Sequence, residues 1–341
     1  SPSYTDDEHF AQRIKRAKPQ PGDIIITREA PIGDVGMIPE NTECCLGQRM
    51  VLLRANQSVC DNFYLLYSLQ SLYVQHQISW SEGTGTTVSN LRIPHLEQIQ
   101  IPYLPLEQQA KISSVLRALE EKIENNRRLN DNLQQQAAAL FSSLYDRTNT
   151  EVRFTDLIQI LGGGTPKTGE NTYWNGNIAF FTPKDVGTPY TLITEKTITE
   201  EGLSHCNSRL YPVNTVFVTA RGTVGKVGMS GVPMAMNQSC YALVGKETHQ
   251  LLVYFYTLKA VDRLKHKASG AVFDAITTRD FESEQIMKLS DDDAKAFLCI
   301  AEPMFQKVLN NCIENLRLST LRDSLLPKLM SGEVDVSAVQ L

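Results

Sequence analysis

The chain lacks the residue patterns that most catalytic, metal-binding and membrane proteins carry. No run of about 18 apolar residues occurs in its 341 residues, so no membrane span is expected. The seven cysteines (Cys44, Cys45, Cys60, Cys206, Cys240, Cys299 and Cys312) are odd in number and contain no C-x-x-C pair. That argues against zinc sites and secreted disulfide frameworks, and makes a reducing cytoplasm the expected compartment. The six histidines are scattered without ligand spacing, and neither H-E-x-x-H nor G-x-S-x-G occurs. There is no Asn/Asp-Pro-Pro-aromatic motif of amino-methyltransferases and no glycine-rich S-adenosylmethionine motif. The opening residues, SPSYTDDEHF, are polar and acidic, with no signal-peptide pattern and no initiating methionine. A basic surplus is also missing: the net charge is −5. A broad basic face that grips nucleic acid unaided is therefore not expected, although local basic loops and partner charges remain compatible with DNA.

What the chain does have is repetition. TREAPIGDVGM at 27–37 returns as TARGTVGKVGM at 219–229, each after a β-rich run. The second copy is no phosphate-binding loop: Gly222 and Gly225 are too close, and Val227 stands where a Walker motif needs Ser or Thr. The offset between copies is 192 here. It becomes 190 where Gln48 meets Gln238, and 185 from GTTVSNL (85–91) against GAVFDAI (270–276) onward. At that last offset Leu96 meets Phe281, Ile101 meets Ile286, Lys122 meets Lys307, and Asn126 and Asn130 meet Asn311 and Asn315. A drift of this kind marks a duplication with loop deletions. The second copy starts earlier, near Glu151, with VRFTDLIQILGGGTPKTGENTYWNGNIAFFTPKDVG, which nothing at the front matches. About 40 residues of the first copy are accordingly expected to be missing from the chain as given, and with them part of its binding surface.

Each copy begins strand-rich (DIIIT, MVLLR, NIAFFT, TVFVTA, CYALV), with helices expected at Cys60–His76 and Leu251–Lys265. Each then ends in a long helix. Ile112, Leu116, Leu119, Ile123, Asn126, Asn130, Leu133, Ala137, Leu140 and Leu144 are spaced alternately by four and three, and no proline interrupts 106–145. The second copy repeats the seam as Phe297, Ala301, Met304, Val308, Asn311, Asn315, Leu318, Arg322, Leu325 and Leu329. A sustained 3.5-residue period is a coiled-coil signal, and buried Asn fixes register at some cost in stability. The expected fold class is α+β: two strand-rich domains and two long helices in an antiparallel coiled coil, a pseudo-two-fold tandem repeat. The expected boundaries are 1–104, 105–149, 150–290 and 291–341. Helices that merely pack on their own domains, with the Asn residues exposed, are the alternative.

The loops around the strands hold residue types suited to DNA. Gly163 lies in a glycine run that would let a backbone come close to a ligand. Thr165, Lys167 and Thr168, with Lys184, suit phosphate oxygens, as do Thr84, Thr86 and Thr87. Gln48, Arg49, Asn237 and Gln238 are residue types that read base edges, Arg at guanine and Asn or Gln at adenine. Arg28, Arg92, Arg221 and Lys226 complete the candidate set. Simple turn structure is the competing account of the glycines.

This assembly resembles the specificity subunit of type I DNA restriction–modification systems. LGGGTPKTGENTYWNGNIAFFTPKDVG is similar to the opening of a target-recognition domain in that family. GDIIITREAPIGDVGMIPENTECCLGQRMVLLR is similar to its central segment, IPYLPLEQQAKISSVLRALEEKIENNRRLNDNL to its first helical region, and LRDSLLPKLMSGEVDV to its C-terminal end. These segments cover essentially the whole chain. The resemblance implies that each recognition domain reads one half of a bipartite, asymmetric target in double-stranded DNA. It implies that the helical pair sets the spacer and docks two adenine-N6 methyltransferase subunits, which bring S-adenosylmethionine. Restriction subunits, using ATP and Mg, would join; the chain itself would hold no cofactor and no catalytic residue. Two competing functions are a non-DNA coiled-coil scaffold with two protein-binding domains, and an enzyme with a cryptic nucleotide or hydrolase site. Steep salt dependence of DNA binding separates the first from the scaffold.

Overall fold

The computed structural model describes residues 4–80, 90–187, 189–267 and 275–339. The chain divides into two compact units, Ser1–Glu124 with Leu316–Leu341, and Asn125–Asn315.

The first unit opens with α1 (Asp7–Arg13), capped by Asp6, whose carboxylate accepts from the His9 N–H at 2.8 Å. β1 (Ile24–Thr27) is the centre of a three-stranded antiparallel sheet between β2 (Val35–Met37) and β3 (Met50–Leu53). Ile24 and Ile26 alternate onto the buried face, as a half-buried strand requires. Asp23 beside β1 is buried and held by a two-pronged contact from Arg54, at 2.7 and 2.6 Å. The helix expected over Cys60–His76 is two helices, α2 (Asn62–Gln70) and α3 (Leu72–Trp80). Ser71 breaks the run, with φ −64° and ψ 148°, and its hydroxyl donates to the Ser68 carbonyl at 2.6 Å. Such local side-chain bonds compete with continued helix. Leu66, Leu69, Val74 and Ile78 from α2 and α3 cover the sheet, and α4 (Ile93–Leu96) follows Leu91 in the same core.

α5 (Leu106–Tyr145) is one 40-residue helix, about 60 Å long. Its first half belongs to the first unit, where Ile112 and Leu116 pack with Tyr64, Tyr67, Leu329 and Met330.

The second unit contains β4 (Glu151–Arg153), α6 (Phe154–Leu157), β5 (Ile158–Gly162), β6 (Trp174–Phe181), β7 (Tyr190–Thr191), β8 (Lys196–Ile198) and α7 (Glu200–Ser204). β9 (Val216–Thr219), β10 (Val227–Ser230), β11 (Met234–Met236) and β12 (Cys240–Gly245) follow. Then come α8 (Gln250–Lys267), α9 (Thr278–Ser283), β13 (Gln285–Met287) and α10 (Asp291–Met330). The main sheet has the order β5-β12-β9-β10-β7, with smaller sheets β11-β6-β8 and β13-β4. α8 lies in the core beneath the main sheet. Phe255 stacks on Phe141 of α5 at 5.0 Å and meets Phe297 of α10 edge-on at 5.1 Å. This aromatic junction draws one face of each long helix onto the domain, and burying each such ring contributes about 1.5–3 kcal/mol.

Three acidic residues in the first turn of α10 suit the positive end of its dipole. The helix continues through Pro303 and Pro327, both exposed, so the carbonyls freed of intrahelical bonds face water.

The pairing of the two long helices is visible within each unit. In the first, Glu120 meets Arg322 at 3.5 Å while Ile112 and Leu116 share a core with Leu329. In the second, Asn126 meets Asn315, Asn130 meets Asn311, and Phe141 meets Phe297. Numbers that rise on one helix fall on the other, so the helices run antiparallel. The expected seam is the buried one: Ile112, Leu116, Ile123, Ala137, Phe297, Ala301, Val308 and Leu329 are all buried. The alternative with exposed Asn does not hold, because Asn126, Asn130 and Asn311 are buried.

Candidate nucleic-acid interface

The repeated phrase of the sequence folds as one repeated turn. In the first copy the Gly33 N–H donates to the Thr27 carbonyl at 2.9 Å; in the second, Gly225 donates to Thr219 at 2.9 Å. The Asp34 N–H donates to Thr27 Oγ1 at 2.9 Å, and the Lys226 N–H to Thr219 Oγ1 at 2.9 Å. The next residues repeat as well: Arg28 N–H to the Arg49 carbonyl and Ala220 N–H to the Ser239 carbonyl, both 2.8 Å. Farther along, Leu91 N–H reaches the Arg28 carbonyl at 3.0 Å, and Ile276 N–H reaches Ala220 at 2.9 Å. Gly33 and Gly225 take φ of +84° and +73°, which is why glycine occurs at both. The strand registers match: Ile24 opposes Met37 and Leu53, and Val216 opposes Met229 and Leu243.

The shared frame presents different side chains. Gln48 and Arg49 are exposed before β3, where the second copy offers exposed Gln238 and half-buried Ser239 before β12. Asp34 and Lys226 are exposed equivalents of opposite charge. Arg49 is drawn toward Glu29 at 3.9 Å, an exposed pairing of little energetic weight. Arg28 is half-buried, and its guanidinium is already engaged: Nε donates to the Leu91 carbonyl at 2.8 Å and Nη2 to Asn90 Oδ1 at 3.1 Å. Arg92 is exposed and occupies the N-cap position of α4. Thr84, Thr86 and Thr87 lie outside the described residues.

In the second unit the candidates gather at one end of the main sheet, where β5 and β9 end and β12 and β10 begin. Thr165 Oγ1 donates to Gln238 Oε1, tying the glycine-rich loop to the loop before β12. Asn237 Oδ1 accepts from the Ser239 N–H at 3.0 Å, and its own N–H donates to the Phe181 carbonyl at 3.0 Å. Arg221 is exposed beside this loop, with its backbone bridged to Ala275. The Thr223 hydroxyl reaches the Pro183 carbonyl at 3.2 Å, bringing the Lys184 loop to the same end. Lys184 is exposed and 3.6 Å from exposed Glu195. Lys167 and Thr168 are exposed; the Lys167 carbonyl accepts from Trp174 Nε1 at 3.1 Å.

Gly163 and Gly164 lack side chains for an internal reason. A Cβ on Gly163 would lie 2.2 Å from the Asn237 carbonyl oxygen, and one on Gly164 would lie 2.6 Å from the Asn207 nitrogen. The close approach seen there is made by the chain's own backbone. The sequence does not show this, because the residues that meet are more than 40 positions apart.

Among the described residues no group of three His, Cys, Asp or Glu side chains is placed to hold a metal ion, and no helix is long and apolar enough to cross a membrane.

Residues 2–135 and 147–288 each match the Type I restriction modification DNA specificity domain. Over 342 aligned residues the chain is 23% identical to the type I restriction enzyme MjaIX specificity subunit of Methanocaldococcus jannaschii, covering 92% of this chain and 78% of that protein. It is 28% identical over 186 residues to the HindI specificity subunit of Haemophilus influenzae, covering 53% of this chain and 40% of that one. Among solved structures, the S subunit of a type I restriction-modification system from M. genitalium aligns with a TM-score of 0.60 at 18% identity, covering 91% of this chain and 83% of that chain. That likeness is one of overall fold.

Proposed function

Because the chain belongs to the type I restriction modification DNA specificity domain family, as a non-catalytic specificity subunit, we propose that each of its two repeats reads a different half of a bipartite DNA target. The observation that carries this reading is the repeated sheet-end turn. Its main backbone and threonine bonds recur in both copies, yet it bears Asp34, Gln48 and Arg49 in one and Lys226, Gln238 and Ser239 in the other. A common scaffold with exchanged side chains suits two sequence readers of one design. Lys167, Thr168, Lys184, Arg221 and Lys226 are assigned to phosphate contacts at the second half-site, and Asn237 and Gln238 to base edges. Gln48, Arg49 and Arg92 take these roles in the first repeat, and Arg28 supports them from its bonded position.

The paired helices set the length of the unread spacer and dock two adenine-N6 methyltransferase subunits. S-adenosylmethionine belongs to those partners, ATP and Mg to joining restriction subunits, and the assembly works in the cytoplasm. Net charge of −5 fits a subunit that shares its grip on DNA with partners. The test is selection from a random duplex library by the chain together with its methyltransferase partner. An enriched bipartite motif supports the reading. Absence of any sequence preference, with binding indifferent to salt, favours a scaffold instead.

A further inference from the structure

The frame that the two repeats share is filled differently at three positions together. Glu29 stands where the second repeat has Arg221, Arg49 where it has Ser239, and Asn90 where it has Ala275. The matched backbone fixes these equivalences. The Arg28 N–H donates to the Arg49 carbonyl as Ala220 does to Ser239, and the Leu91 N–H reaches Arg28 as Ile276 reaches Ala220. In the first repeat the three side chains join in one line of contacts. Asn90 Nδ2 donates to Glu29 Oε1, and Asn90 Oδ1 accepts from Arg28 Nη2 at 3.1 Å. Arg28 is itself fixed by the Leu91 carbonyl at 2.8 Å. The other carboxylate oxygen, Glu29 Oε2, lies 3.9 Å from Arg49 Nε.

The turn does not need this arrangement, because the second repeat makes the same backbone bonds with Arg221, Ser239 and Ala275 in its place. A phosphate contact does not explain Glu29 either, since a carboxylate beside the DNA backbone meets like charge. What a carboxylate can accept from in DNA is an amine on a base edge. In the major groove adenine N6 has the N7 acceptor beside it on the same base, which repels a carboxylate. Cytosine N4 has no such neighbour, and across the pair lie guanine O6 and N7, the acceptors that Arg reads. A C·G pair thus shows a donor next to acceptors. Glu29 and Arg49 show an acceptor next to donors, with side chains 30% and 68% exposed. The bond from Asn90 holds the Glu29 carboxylate in one orientation, so less freedom is lost on binding.

We propose that Glu29 is a specificity-determining residue of the first repeat. With Arg49 it reads one C·G pair in the major groove, Glu29 accepting from cytosine N4 and Arg49 donating to guanine. Asn90 and Arg28 are positioning residues for the carboxylate. The inference rests on the half-site reading above and adds a base identity to it.

The experiment uses the full chain with its methyltransferase partner on a random duplex library, with methylated adenines sequenced together with their flanks. The parent should give a motif with a required C·G pair in the half read by the first repeat. Glu29→Gln carries the donor and acceptor that match adenine. It should lower the preference for that cytosine about tenfold, raise adenine at the same position, and leave the other half unchanged. The unchanged half shows that the variant folds and assembles. Asn90→Ala should keep the preference for cytosine but weaken it. On the selected target, 2-pyrimidinone in place of the cytosine removes only the N4 amine; it should cost the parent about tenfold in binding and cost Glu29→Gln little. Three results overturn the proposal: unchanged preference in Glu29→Gln, a change at a pair other than C·G, or a loss spread evenly over one half, which marks a structural role. A parent with no sequence preference overturns the half-site reading as well, so the two failures are told apart.

Discussion

Asn311 Nδ2 donates to Asn130 Oδ1 at 2.8 Å across the two long helices, and Asn126 Nδ2 donates to Asn315 Oδ1 at 2.9 Å. The offset of 185 turns the second pair into the first: 126 becomes 311, and 315 becomes 130. One interaction is therefore made twice, once from each copy of the repeat. Asn126 also donates to Glu314 at 2.8 Å. Only one helix alignment satisfies both pairs, which makes them a register device.

Replacing both donors, Asn126→Leu with Asn311→Leu, should keep the helices associated, since apolar residues suit the seam. It should loosen their register and blur discrimination between target spacers of different length. By contrast, Asn311→Ala alone should cost about 1–3 kcal/mol, because it leaves the Asn130 acceptor buried and opens space in the seam. Denaturant unfolding measures the cost; selection on spacer-length libraries measures the blurring.

Gly163→Ala should destabilise the second unit by about 1–3 kcal/mol, because a Cβ there meets the Asn237 carbonyl at 2.2 Å. Gly162→Ala, next to it, meets nothing within 4 Å and should stay within about 0.5 kcal/mol of the parent. Thermal melts of the two variants decide whether the glycine run serves packing. Equal effects would remove the internal account of Gly163.

The heptad seam was legible because its period is local: each seam residue is marked by neighbours three and four positions away. The repeated turn was legible because glycine at a positive φ and a bonded threonine leave the same residues in both copies. Other features depend on distant partners. Phe141 is more deeply buried than Leu140 of the expected seam only because Phe255 and Phe297 converge on it. The break at Ser71 is written by one hydroxyl in an otherwise helical run. Arg28 reads as a free loop cation until Asn90 and Leu91 are seen to take its guanidinium.

The stability of the first unit should fall in acid through Asp23. Hydrogen bonds from Arg54 hold its carboxyl below the usual carboxylate range, against the opposing effect of burial. A carboxyl depressed in the folded state contributes stability above its unfolded value, near pH 4, and loses it as pH falls through the folded value. Protection factors of the β1 amides, corrected for the intrinsic exchange rate, should therefore fall below about pH 4. Asp23→Asn should be less stable at neutral pH and should lack that part of the acid dependence.

Lys226→Ala should weaken DNA binding by the assembled complex to a similar degree on every sequence and lower the slope of log affinity against log salt by about one. Gln238→Ala should instead relax preference at one position of the second half-site, leaving the salt slope unchanged. Titrations at several salt concentrations, on the selected target and on single-base variants, separate the two. A Lys226 variant that changes base preference would reassign that residue.

The central claim is that one scaffold, written twice with different side chains, reads two different half-sites. Single-molecule sequencing of methylated adenines, on DNA modified by the chain with its methyltransferase partner, tests it most directly. The account predicts a bipartite motif with unlike halves and a spacer of fixed length. A motif with two identical halves, or methylation without sequence preference, would contradict it.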